Sequence, residues 1–245
     1  MKKIKLKNID TQAPQRINKE AYKRKLNKVI EELSDLQHLL YASHSYSLLI
    51  IFQGIDTAGK DSTIRQVFSN VNPLGVQATS FKAPVGVELE HDYMWRIFQK
   101  LPEKGKIQIF NRSHYEDILV PTIQKSLPNS IIEERYEFIN AFEKHLLSNN
   151  TIILKFFLHI SEEEQKKRIH ERLNDPFKKW KYSEDDLKSS EKWKEYQQVY
   201  EQILNRCSPE LPWIIVPADN KWYRNYIVSS TIVARLKLLN LKFPE

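Results

Sequence analysis

The stretch that most constrains the fold runs from Tyr46 to Lys60. Tyr46 to Gln53 (YSLLIIFQ) is a short continuous apolar run with polar ends, the pattern of a strand buried on both faces. It leads directly into Gly54-Ile-Asp-Thr-Ala-Gly-Lys60, and two of the chain's five glycines, Gly54 and Gly59, fall in those seven positions. A strand, then G-x-x-x-x-G-K, then a helix describes a phosphate-binding loop. The glycines permit a tight wrap, backbone N–H groups point at phosphate oxygens, and the lysine adds a mobile positive charge. The pattern departs in one position, because Asp61 stands where Ser or Thr is required and Ser62 and Thr63 follow it. An ordinary strand-to-helix turn is the plain alternative.

The rest of the chain supplies the context such a loop needs. Further strand-like runs lie at Gln77 to Phe81, Lys106 to Phe110, Thr151 to His159 and Trp213 to Val216. Helical spacing appears over Asn18 to Ala42, Asp61 to Asn70, Glu88 to Lys100, Ser130 to Leu147, Ser161 to Leu173, Glu184 to Asn205 and Lys221 to Leu239. Strands alternating with helices predict an α/β fold with a mostly parallel sheet covered on both faces. Ser161-Glu-Glu-Glu164 fits a capping box, and Ser183-Glu-Asp-Asp186 puts three acids in a first helical turn. With no internal repeat or long linker, residues 1–245 read as one domain. It has a basic N-terminal arm and helix over about 1–43 and a helical, lid-like excursion over about 161–205.

Charge and cysteine content narrow the classes. Lys and Arg exceed Asp and Glu by 38 to 31, a formal charge of +7, which favours an anionic partner. Residues 1 to 28 hold ten Lys/Arg against Asp10 and Glu20, and residues 166 to 181 hold seven against Glu171 and Asp175. A solvated face is the plain reading of either run, especially the first. No apolar run reaches the roughly 18 residues of a membrane span, and the Lys-rich start has no apolar stretch behind it, so no membrane association is expected. The single Cys207 fits a reducing, cytoplasmic compartment and excludes a disulfide scaffold.

Chemistry concentrates in two segments. Asp56 and Asp61 are unusual company for a phosphate cradle unless a cation lies between them, and Mg2+ would resolve the repulsion. Asp61 also reads as a first-turn acid, whereas Asp56 lies within the wrap and is the stronger choice for metal or proton chemistry. Phe110-Asn-Arg-Ser-His-Tyr-Glu-Asp117 crowds charge at the carboxyl end of a strand, where open α/β sheets bind ligands. There Glu116 and Asp117 resemble Walker-B acids for Mg2+, with a first-turn acid as the plain reading of Asp117. Arg112 can fork onto phosphate oxygens, and His114 reads as structural rather than catalytic.

Taken together, several segments resemble the polyphosphate kinase 2 family of P-loop phosphotransferases. Besides the two above they are Ser80-Phe-Lys-Ala-Pro84, His91-Asp-Tyr-Met-Trp-Arg96, Asn174-Asp-Pro-Phe-Lys-Lys-Trp-Lys181 and Pro217-Ala-Asp-Asn-Lys-Trp-Tyr-Arg224, in the family's order. The resemblance implies a P-loop kinase-like three-layer α/β/α fold with a helical lid, working as a homo-oligomer. It implies reversible transfer of a phosphoryl group between inorganic polyphosphate and ADP, AMP or guanine nucleotides, giving ATP or ADP, with Mg2+ or Mn2+. Asp56, Lys60, Arg112 and Asp117 would be catalytic, with Asp56 and Asp117 on the metal. Gly54, Ala58, Gly59, Lys60, Asp61, Ser62, Lys82, Arg112, Arg168, Arg172, Lys178 and Lys181 would hold phosphates, and Arg112, Glu116 and Asp117 the nucleotide. The Ser-His-Tyr-Glu-Asp version is similar to the branch that accepts AMP as well as ADP, while Ser62 stands where many members carry a glycine-like residue.

Two other readings stay open on the residues alone. A nucleotide kinase using ATP as donor would share the loop, the lid and the acids. A nucleic-acid-binding P-loop ATPase would use the positive charge, although no aromatic and basic residues interleave as in a known nucleic-acid motif, so no nucleic acid is expected.

Overall fold

The computed structural model describes residues 3–177, 179–181, 184–207 and 210–244. Its centre is a sheet of parallel strands: β1 (Ser47–Gln53), β2 (Val76–Ser80), β3 (Ile107–Asn111), β4 (Thr151–His159) and β5 (Trp213–Pro217), in the order β2-β3-β1-β4-β5. All residues of β1 and β4 are buried, as a parallel sheet covered on both faces requires. In register, Phe52 of β1 lies opposite Asn111 of β3 and Phe156 of β4. From β1 the chain crosses towards β2, and from β3 it crosses to β4 on the other side. Their carboxyl ends therefore open a crevice where the crossover direction reverses.

Helices α1 (Lys19–Ser43), α2 (Lys60–Val67), α3 (Trp95–Phe98), α4 (Glu116–Gln124), α5 (Asn129–Ser148), α6 (Glu162–Asn174), α7 (Glu184–Glu191), α8 (Trp193–Arg206) and α9 (Lys221–Lys237) surround the sheet. The α1 helix begins where the Asn18 side chain accepts from the Ala21 amide at 2.9 Å. It turns Leu26, Ile30, Leu33, Gln37 and Leu40 inward and packs on α9. Ser161 caps α6 by accepting from the Glu164 amide at 3.1 Å, but the other half of the expected capping box is replaced, since the Ser161 amide donates to Asp219 at 2.9 Å and Glu164 pairs with Arg168; the cap expected at Ser183 lies outside the described residues.

Three expectations about elements change. Glu88 to Lys100 is not one helix but a tight turn at Gly86–Leu89 followed by the single turn of α3, and Val85, Val87 and Leu89 are exposed rather than buried. The excursion after Glu184 breaks into α7 and α8. The α4 helix is absent from the helical stretches read in the sequence, although the first-turn reading of Asp117 fits its start, and it carries Pro121 within it.

The basic arm is an ordered strap. Leu6 is buried, and the side chain of Asn205 pairs with the Ile4 backbone at 2.8 and 3.0 Å. The Leu6 amide donates to Glu201, the Thr11 hydroxyl to Asp219, and the Ala13 amide to Asn220. Lys3, Lys5 and Lys7 alternate outward into solvent, so the solvated-face reading holds for their side chains. Among the described residues no helix is long and apolar enough to cross a membrane.

Candidate active site at the carboxyl ends of β1 and β3

Beyond Gln53 the backbone wraps sharply, and glycine is required at both ends of the wrap. Gly54 has φ +149° and a Cβ there would sit 2.7 Å from the Leu158 carbonyl oxygen; Gly59 has φ +102°, and a Cβ would meet the Arg224 guanidinium at 2.1 Å. Between them Thr57 also takes a left-handed conformation, φ 68°. The Ala58 carbonyl points back towards arginines of α6 and α9. In a trans peptide this turns the Gly59 N–H to the opposite side. The first amides of α2 follow it without acceptors in the preceding turn, which makes an electropositive, donor-rich rim.

Lys60 is buried and folds onto its own loop, donating to the Gly54 carbonyl at 2.6 Å and the Ile55 carbonyl at 3.3 Å. Burial, then the neighbouring Arg112 charge, lower its ammonium pKa, against the opposing pull of Asp56, Glu116 and Asp61. Arg112 leaves β3 at φ 63° and pairs with Asp56. Burial works against ionising Asp56, but the Arg112 and Lys60 charges and the Arg112 hydrogen bond outweigh it and hold its carboxyl below the usual range. Burial likewise opposes the charge of Arg112, and Asp56 and Glu116 more than restore it.

Glu116 and Asp117 open α4, one position past the loop from β3. Burial raises both carboxyls. For Glu116 the Arg112 and Lys60 charges pull the other way, and for Asp117 those of Arg96 and Arg135 do. Pro121 lacks the N–H that would reach the Asp117 carbonyl one turn back, and Arg135 of α5 donates to that carbonyl instead. The helix is thus completed by a side chain from its neighbour. Arg96 donates to the Lys82 carbonyl at 2.7 Å and lies 3.5 Å from both Glu88 and Asp117.

Beneath α4 a buried set anchors its start. The Tyr115 hydroxyl donates to Glu143 at 2.7 Å, and Lys155 of β4 donates to Glu143 at 2.6 Å and to the Cys207 carbonyl at 2.6 Å. His114 is fully buried, 3.5 Å from Glu143, in keeping with a structural histidine. Gly54, Asp56, Lys82, Arg112, Glu116 and Asp117 all line one cavity of about 520 Å3, which Glu191 of α7, Lys192, and Tyr196 and Tyr200 of α8 also line.

With this geometry in hand, comparison with known proteins is decisive. Residues 16–244 match the family model described as Polyphosphate kinase 2. The chain belongs to the polyphosphate kinase 2 family. It is 45% identical over 221 residues to a Meiothermus ruber protein named AMP/ADP-polyphosphate phosphotransferase, covering 90% of this chain and 82% of that one. It is 45% identical over 241 residues to an ADP-polyphosphate phosphotransferase of Rhodopseudomonas palustris, covering 93% and 83%. The crystal structure of polyphosphate kinase 2 from Arthrobacter aurescens TC1 superposes with a TM-score of 0.96 at 36% identity, covering all of this chain and 89% of that one. The P-loop kinase-like fold expected from the sequence is therefore the fold observed.

Within this polyphosphate kinase 2 fold several expected phosphate contacts take other roles. Arg168 does not face the cavity. It donates to the Thr57 and Ala58 carbonyls at 3.0 Å each and to those of Ala218 and Asp219 at 2.8 and 3.0 Å, while pairing with Glu164 at 2.7 Å. All of its donors are consumed behind the loop, so it shapes the cradle rather than touching phosphate. The Ser62 hydroxyl donates to the Gly59 carbonyl and accepts from Arg224, and Asp61 is exposed and accepts from Asn111 at 2.7 Å. Arg172 is half-buried and its charge acts on Asp56. Lys178 and the side chain of Lys181 lie outside the described residues.

Sequence reasoning assigned no role to Arg96, Arg135, Tyr200 or Arg224. A signal for Arg224 was present: with Val228, Ile232 and Leu236 it forms an i, i+4 stripe that is otherwise apolar and buried.

Proposed function

We propose that the protein transfers a terminal phosphoryl group reversibly between inorganic polyphosphate and ADP or AMP, by direct in-line displacement. The observation that carries this is the convergence of the phosphate loop, the Asp56 and Arg112 pair, and the Glu116 and Asp117 helix start on one cavity. The names of the Meiothermus and Rhodopseudomonas relatives supply the substrate class.

Phosphoryl transfer is chiefly positioning and charge neutralisation, and each group here has such a task. The amides of Gly59 and the α2 start bind phosphate oxygens, while Lys60 and Arg112 exchange protein acceptors for the phosphates on either side of the transferring group. Lys82 and Arg172 extend the positive lining along the polymer. Glu116 and Asp117 orient the acceptor nucleotide, and the lid residues Tyr196 and Tyr200 exclude water from the reacting atoms.

Asp56, held ionised, and Asp117 are hard oxygen donors suited to Mg2+ or Mn2+. No cluster of three His, Cys, Asp or Glu side chains stands ready among the described residues, which fits a cation bound by one or two carboxylates together with substrate phosphates. When bound, that cation supplies neutralising charge to the phosphate oxygens. No protein nucleophile is needed, since Cys207 is buried and burial pushes its thiol up to about 12.

The test is a metal-dependent assay with polyphosphate as sole donor and ADP or AMP as acceptor, run beside Asp117→Asn. ATP formed from ADP and lost in the variant supports the reading, and ADP formed from AMP assigns the dual-acceptor branch. No product from either acceptor, with the protein folded, refutes it in favour of an ATP-donor kinase, and a trapped phosphoenzyme refutes the direct step.

A further inference from the structure

Two arginines stand behind the phosphate loop, and they differ in one respect that bears on how the loop meets a polyanion. Arg168 has a carboxylate partner in Glu164. Arg224 is fully buried and meets only neutral acceptors: the Ala58 carbonyl at 3.2 Å, the Ser62 hydroxyl at 3.0 Å, and the Asn225 amide oxygen at 3.2 and 3.1 Å. Among the described residues no carboxylate pairs with it. A buried charge without a counter-charge is costly, and a fold retains one where something else compensates it.

We propose that Arg224 is a positioning residue for the phosphoryl-transfer site, which fixes the Ala58 to Ser62 turn while holding an uncompensated positive charge behind the loop that bound polyphosphate neutralises.

The geometry gives the guanidinium both tasks. Its Nη1 reaches the Ala58 carbonyl, fixing the peptide plane whose other end is the Gly59 N–H, and its Nη2 reaches Ser62 in the first turn of α2. Gly59 is the residue that admits it, because any Cβ there would collide with Nη1. Ser62, which departs from the glycine-like residue expected at its position, provides the second acceptor. Burial, with Arg168 beside it, pulls the guanidinium pKa down to about 9, the direction expected of a cation awaiting an anion.

Removing Arg224 leaves few groups stranded. Arg168 still donates to Ala58, the Ser62 hydroxyl still donates to Gly59, and Asn225 alone loses its partner. An apolar side chain of similar length should therefore be tolerated in the free protein and should weaken the ligand-bound state.

This inference rests on the polyphosphate reading, and the experiment separates the two. Melting temperatures of the wild type, Arg224→Met and Arg224→Lys are measured with and without polyphosphate and Mg2+, together with KM and kcat. The free Arg224→Met protein is expected to melt at or above the wild type. Its polyphosphate-induced rise in melting temperature should shrink, and its KM for polyphosphate should increase on the order of tenfold, the scale of one charge acting across a partly screened site. Arg224→Lys, which keeps the charge without the fork, should retain most of the rise. A wild type that polyphosphate does not stabilise refutes the functional reading. An Arg224→Met protein that melts lower yet keeps the full rise and the wild-type KM makes Arg224 a structural brace alone and overturns the inference. If Arg224→Met does not fold, loss of the rise in folded Arg224→Lys overturns the role of its charge.

Discussion

Replacing Gly59 by alanine should separate two costs that the structure superimposes. The first is conformational: φ is +102°, where an L side chain is disfavoured by about 1–2 kcal/mol. The second is the collision of the new Cβ with the Arg224 guanidinium, 2.1 Å from Nη1 and 3.0 Å from Cζ. Displacing that group strands a buried charge and its bonds to Ser62 and Asn225, each worth roughly 1.5–3 kcal/mol for a charged donor. The Ala58 carbonyl retains Arg168, so it adds little. Gly59→Ala should then cost about 4–8 kcal/mol in the native background but only about 1–2 kcal/mol on top of Arg224→Ala, where the obstruction is gone. Urea unfolding of the four proteins, followed by circular dichroism with the slope checked for constancy, gives the coupling directly. Equal costs in the two backgrounds would refute the claim that this glycine exists to admit the guanidinium.

Other expectations follow from the buried polar groups. Lys155→Met strands the Glu143 carboxylate and should cost about 3–5 kcal/mol, with part of the loss recovered by adding Glu143→Gln; chemical denaturation midpoints decide, and a neutral single substitution would be evidence against the pair. Arg135→Met orphans the Asp117 carbonyl that Pro121 leaves free, at about 1–3 kcal/mol. Adding Pro121→Ala restores an N–H donor and should recover stability, and no recovery in thermal melts would contradict the pairing. Burial lowers the His159 imidazole below its ordinary 6.5, against the pull of the Leu6 and Ile9 carbonyls. The unfolded chain therefore takes up a proton near pH 6.5 that the native ring accepts only at lower pH. This contribution to stability is full above about 6.5 and is lost as pH falls through the native value. His159→Gln should flatten that part of the pH profile, and an unchanged slope between pH 7.5 and 5.5 would show that the ring is not responsible.

The features legible in the sequence were those set by local rules. The strand from Ser47 to Gln53, its glycine-flanked loop and α2 were legible because apolar continuity and the position of two scarce glycines leave few alternatives. Asp56, Lys60, Arg112, Glu116 and Asp117 were nameable because they flank strand ends; the structure brings all but Lys60 to one cavity, and Lys60 folds onto the Gly54 and Ile55 carbonyls of the same loop. What could not be read depends on partners distant in sequence. The missed α4 helix exists because Arg135 answers the carbonyl that Pro121 leaves open. The supposed helix from Glu88 to Lys100 failed because Leu89 at its start, like Val85 and Val87 just before it, faces solvent, and burial is what converts periodicity into a helix. Arg168 looked like lid charge within a basic run, yet it shares a face with Gln165 and Ile169, and that face turns inward. Trp213 packs edge-on against Tyr115 at 4.8 Å and is buried, whereas Trp180 is exposed and does not line the cavity.

The strap formed by residues 4–13 has a consequence for biosynthesis. Its partners Glu201, Asn205, Asp219 and Asn220 lie about two hundred positions later, and the bond from Ile4 to Asn205 spans 201 residues. Made about two hundred residues ahead of its partners, the strap is therefore among the last segments to find its place. At about 5–20 residues per second it waits on the order of ten seconds or more for α8 and the start of α9 to be made. During that interval its apolar contacts are few, Ile4, Leu6 and Ile9 among five exposed lysines and polar residues, and its positive charge keeps it soluble and apart from the growing core. The lysines of the arm thus suit a segment that must remain unattached until α8 and the start of α9 are made and then dock once, over finished structure.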